Sequence, residues 1–187
     1  ERGARFMNFV SDIRDIVGDT ITKIQAQEKK IQEHERERDQ WSDTRFAEVQ
    51  KNLQNELTLI RAAGLRVVRQ RIEQYKAEVQ AADVLDGSKL TEDAKLLAGG
   101  FQLTSEDLAA AFDRAAGNRT MEKLIYRYAK DHAIPLGRVY YAAAEKLAAA
   151  DGMESYARNA LDRPEYWDLM GGDGYLEQTV SPAIKND

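Results

Sequence analysis

Cysteine is absent from this chain of 187 residues, so it can build neither a disulfide framework nor a thiolate metal site. That fits a reducing compartment. There are only two histidines and three prolines, and no proline precedes Pro135. No apolar run approaches the roughly 18 residues of a membrane span, and no signal-peptide pattern opens the chain. Six residues, Glu1–Phe6, stand before Met7, which is a candidate natural start.

What is present is charge and helical periodicity. Charged residues make up 32% of the chain and the net charge is −5, so much polar surface must sit on an extended element. The charge is uneven. Residues 8–82 carry 13 Lys+Arg and 13 Asp+Glu, whereas residues 83–187 carry 12 and 18. Interleaved, balanced signs mark a solvated helix face.

Val10–Val79 contains only Gly18 and Gly64 as glycines and reads as one long amphipathic helical region. Val10, Val17, Ile24 and Ile31 recur every seven residues, with Ile13, Thr20, Gln27, His34 and Trp41 at the matching d positions. This seam needs a partner helix, and Val10, Ile13, Val17, Ile24 and Ile31 are the candidate self-association residues. Its polar d positions make it a weak coiled coil. A second stripe runs from Phe46 through Val49, Leu53, Leu57, Ile60, Gly64, Val68, Ile72 and Tyr75 to Val79, wide enough to pack on a broad surface. Ser42 and Asp43, where the period changes, are both capable of starting a helix. Either the helix runs through this point as a rod, or it folds back near Trp41–Thr44 into a hairpin. With no glycine or proline to mark a turn, the continuous or kinked rod is favoured.

Ala81–Leu90 reads as a hinge around Asp86-Gly87. Beyond it the spacing predicts short capped helices: Glu92–Ala98, Ser105–Ala116 behind Thr104, a helix begun by Asn118 or Thr120 and ending near His132, Pro135–Ala150, and Met153–Leu161. Phe112, Leu124, Tyr128, Val139, Tyr140, Leu147 and Tyr156 are the candidate core. The predicted fold is all-α: a coiled-coil or helical-hairpin rod over residues 8–82, then a small helical domain over 89–161. Residues 162–187 form a tail with Tyr166-Trp167 and Gly171–Gly174. Tyr166 and Trp167 are candidate partner-binding residues, although packing of Trp167 back onto the helices is the commoner outcome.

No catalytic constellation is visible. Gly171–Gly174 lacks the lysine and strand of a phosphate loop. His34-Glu35-Arg36-Glu37-Arg38 opens like a zinc-protease helix but has Arg38 in place of the second histidine, so no metal site is expected. No cofactor is expected either. Arg61, Arg66, Arg69, Arg71 and Lys76 form the only basic cluster. Arg61, Arg66, Arg69 and Lys76 are the candidate contacts for nucleic-acid phosphates, against a simpler reading as a solvated flank; overall acidity favours the latter.

Leu90-Thr91-Glu92-Asp93, Phe101–Asp107, Asn118-Arg119-Thr120-Met121 and Tyr128–Ile134 resemble segments of small coiled-coil-containing prophage proteins from head-assembly regions. The likeness covers about a third of the chain. It implies a non-enzymatic structural or scaffolding-like role, with a capsid or other structural partner, in the cytoplasm of a bacterial host; the α-helical seam itself points to a homo-oligomer. The alternative from the residues is a soluble adaptor or regulator that binds nucleic acid through 61–76.

Overall fold

The computed structural model describes residues 9–137, 139–165, 167 and 180–185, which are helices and connecting loops with no strand among them. The helices are α1 (Phe9–Arg36), α2 (Asp43–Asp83), α3 (Asp93–Ala98), α4 (Ser105–Arg114), α5 (Arg119–Asp131), α6 (Ala143–Asp162) and α7 (Pro182–Lys185). They form two compact units. The first comprises residues 1–75 and 148–187, the second Lys76–Leu147. These boundaries differ from the expected 8–82, 89–161 and 162–187. Met153–Leu161, expected in the small domain, belongs to the first unit.

In the first unit α1 and α2 pack against each other as an antiparallel hairpin, so the favoured continuous rod is not what forms. The turn is made without glycine. Arg38–Gln40 form one 3-10 turn, and Trp41 follows in extended backbone at φ −117°. None of this needs a positive φ, which is why no breaker residue marks it. Side chains hold the turn instead. The His34 ring stacks on Phe46 at 4.3 Å and meets the Trp41 ring edge-on at 5.2 Å. The Arg38 guanidinium lies 4.7 Å over Phe46 and also pairs with Asp43.

The hairpin covers the α1 seam within one chain. Ile13, Val17, Ile24 and Ile31 are buried and Val10 is half-buried. The polar d residues are buried with them and satisfied: Gln27 Nε2 donates to Leu53 O and to Glu56 Oε2, both at 3.0 Å, and His34 Nε2 lies 3.2 Å from Phe46 O. From α2, Leu57, Val68, Ile72 and Tyr75 are buried, and Tyr75 stacks on Phe9 at 4.0 Å. From this unit's C-terminal part Met153, Tyr156, Ala157, Leu161 and Ile184 are buried as well.

The second unit has its own core of Leu108, Ala111, Ala115, Met121, Ile125 and Ala129, where α5 packs on α3 and α4. Thr104 and Asp107 close a reciprocal capping box at the start of α4. Asn118 accepts from the Met121 N–H at the start of α5. The expected helix from Pro135 does not form. Gly137 takes φ +53°, and α6 starts only at Ala143, where the Glu145 carboxylate accepts from the Ala142 N–H at 2.8 Å. Once started, α6 continues through Asp151-Gly152, the expected break. Val139, expected in the core, therefore lies in the loop and is 75% exposed.

Candidate functional site

The second unit carries two hollows that share a wall. The larger, about 460 Å³, is lined by Leu97, Phe101, Leu103, Tyr128, His132 and Ile134, among others. The smaller, about 360 Å³, lies on the α3–α4 side and reaches Asp93, Asp107, Ala111 and Arg114. Leu97, Phe101, Gln102 and Leu103 belong to both. Volumes of this order suit one or two anchoring side chains or a small ligand.

The shared wall is a strap, Gly99–Thr104, between α3 and α4. It follows from the sequence Gly99-Gly100-Phe101. Gly100 takes φ +69°, which turns the chain at the end of α3. The Phe101 ring then lies on Gly99, where an added Cβ would fall 2.6 Å from Phe101 Cε2. Tyr128 on α5 donates to the Phe101 carbonyl at 2.7 Å and ties the strap down. Phe101 itself stays 58% exposed.

The far wall ends at the C-terminus of α5. Ala133 takes φ +54°, and the N–H groups of Ala133 and Ile134 donate to Lys130 O and Ala129 O at 3.3 and 2.8 Å. This is a Schellman closure with alanine where glycine is usual. His132 stacks on Tyr128 at 4.0 Å, and its Nδ1 lies 2.9 Å from Tyr128 O. A carbonyl only accepts, so Nδ1 carries a proton.

On the α4 side the charges are mostly committed. Arg114 grips Asp93 with two hydrogen bonds of 3.1 and 2.7 Å, which raise the pKa of the guanidinium. Asp107 accepts from the Thr104 N–H and hydroxyl, which hold its carboxyl below the usual range. Glu106, beside it, is exposed.

The other sequence candidates lie in the first unit, apart from Lys76. Ile13, Val17, Ile24 and Ile31 are buried inside the hairpin, and Val10 is half-buried. The basic cluster is largely used in stitching helices together. Arg61 pairs with Glu28 at 3.2 Å, Arg71 with Asp12 at 2.8 Å and Arg69 with Glu154 at 2.8 Å. Hydrogen bonding to Arg69, above all, lowers the Glu154 pKa. Arg66 is exposed. Trp167 is half-buried, 6.4 Å from the Tyr156 ring and against Gly18, which is the packed-back arrangement. Tyr166 and Gly171–Gly174 lie outside the described residues.

The groove itself was not legible in the sequence. The nearest signal was Phe101 directly after two glycines. Among the described residues no group of three or more His, Asp or Glu is placed to hold a metal ion, and no helix is long and apolar enough to cross a membrane. Comparison of the chain with protein-family models, curated proteins and solved structures gave no match.

Proposed function

We propose that this chain is a non-enzymatic assembly protein that binds a protein partner through the strap groove of Lys76–Leu147, with the α1–α2 hairpin as a preformed helical arm. One observation carries the reading. Among the described residues, eight large apolar side chains are exposed, and six of them, Val84, Leu85, Leu90, Leu96, Phe101 and Val139, lie on this smaller unit. Two of the six, Leu96 and Phe101, line the hollows, and apolar exposure gathered on one unit marks an interaction surface rather than a random scatter. The likeness of Leu90–Ile134 to prophage head-assembly proteins falls on the same segment and supports a structural partner, such as a capsid component. A nucleic-acid role draws no comparable support, because Arg61, Arg69 and Arg71 are paired within the chain.

The test is a photo-crosslinking amino acid placed at Phe101 and, separately, at Leu59 on the hairpin, in the protein expressed in its own cell. The expected result is one discrete adduct from position 101, identified by mass spectrometry as a structural protein, and none from 59. Equal labelling from both positions, or none from 101, would refute the reading.

A further inference from the structure

Two edges of the groove's apolar walls carry hydrogen-bond acceptors, with Gln102, which both donates and accepts, between them. On the α5 side, Nδ1 of His132 is committed as a donor to Tyr128 O. In the neutral ring this leaves Nε2 with a lone pair and no proton. On the α4 side the one base lining the hollow, Arg114, is held by Asp93. Asp107 remains ionised, because its bonds from Thr104 favour the charged form. Glu106 adds a second carboxylate on the same turn of α4. On the α3–α4 side residues 83–114 hold seven Asp+Glu against three Lys+Arg, whereas residues 115–134, which include α5, hold two against four, so the acidic edge is the α4 one. Between these edges stand Leu97, Phe101, Leu103 and Ile134, which offer only apolar contact.

We propose that the occupant of the groove is a basic amphipathic helix of a partner protein, resting on the assembly reading above. Two of its apolar side chains would enter the two hollows on either side of Phe101, and its Lys or Arg residues would face Asp107, Glu106 and the free nitrogen of His132. Helix-in-groove recognition uses such spaced anchors. The complementary charge sets orientation and excludes acidic helices with the same apolar face.

The probe is a pair of dye-labelled synthetic helical peptides with one shared leucine face, the polar face being lysine in one and glutamate in the other. Fluorescence anisotropy is read against the full chain. The lysine peptide is expected to bind at least about tenfold more tightly, and the preference to shrink as salt is raised. Phe101→Ser should abolish binding, while Glu106→Lys should keep the apolar contact and narrow the preference. Circular dichroism of both variants checks that the helices persist; both side chains are exposed. Equal affinity for the two peptides would overturn the inference and leave the assembly reading standing. So would failure of both peptides to bind while position 101 still crosslinks a partner. Loss of that crosslink as well would remove both.

Discussion

Thr20 on α1 lies directly against Gly64 on α2, so close that a Cβ at position 64 would fall 2.4 Å from Thr20 Cγ2 and 2.7 Å from its Oγ1. Thr20 cannot easily give way. It is branched at Cβ, it is buried, and its hydroxyl donates to Ile16 O at 2.7 Å. Glycine therefore stands in the middle of a 41-residue helix for closeness of approach.

Gly64→Ala sets two effects against each other. Helix propensity favours alanine by about 1 kcal/mol. Forcing a methyl into a filled seam typically costs about 1–3 kcal/mol. The expected outcome is net destabilisation, seen as a lower urea midpoint with an unchanged slope. In a Thr20→Ala background the obstruction is gone, and the same change should become neutral or stabilising. A Gly64→Ala variant that is more stable in the wild-type background would contradict the tight contact.

Ala133 is the one described non-glycine residue with positive φ. A left-handed alanine costs roughly 1–2 kcal/mol relative to its ordinary conformation, whereas glycine is at ease there. Ala133→Gly should raise the thermal midpoint and leave α5 and the stacked Tyr128–His132 pair in place. A lower midpoint would mean that the loop relaxes away from this geometry. The same substitution should not weaken peptide binding, since no Ala133 side-chain contact is invoked.

Tyr140 gives the clearest pH dependence. Burial, chiefly, and the nearby negative charges of Asp83 and Glu122 push its phenol up to about 12. It packs on Tyr126 at 4.7 Å and on Phe112 at 6.1 Å. The folded state thus holds the proton more tightly than the unfolded state, whose tyrosines ionise near 10. Stability from this source is complete below about pH 10 and is lost as pH rises towards the folded value. Tyr140→Phe should flatten that alkaline loss while costing little at neutral pH. Identical alkaline profiles for the variant and the parent would place the effect elsewhere.

Local chemistry was enough to read several elements from sequence. Thr104 three residues before Asp107, and Asn118 three before Met121, start helices because the oxygen acceptor and the free N–H are neighbours in the chain. The all-α class and the heptad of α1 came from periodicity alone, since a 3.6-residue turn must place those side chains on one face. Pro135 misled. It was able to begin a helix, but Gly137 two residues on turned the chain, and Glu145 was better placed to close a first turn.

The tertiary structure decided what each face meets. A partner helix from a second copy and one from the same chain present the same surface to Ile24, so the heptad by itself did not distinguish oligomer from hairpin. The fold-back near Trp41 was hidden because its backbone is ordinary, and it is fixed by contacts such as His34 on Phe46, 12 residues away. Gln27 looked like a flaw in the seam until Leu53 O and Glu56 supplied its partners. Arg61, Arg71 and Arg69 looked like a basic patch until Glu28, Asp12 and Glu154 came within reach, 33, 59 and 85 residues distant. Helices are set by bonds between near neighbours, which the sequence displays. Pairing between distant groups depends on which faces packing brings together, and one-dimensional spacing does not contain it.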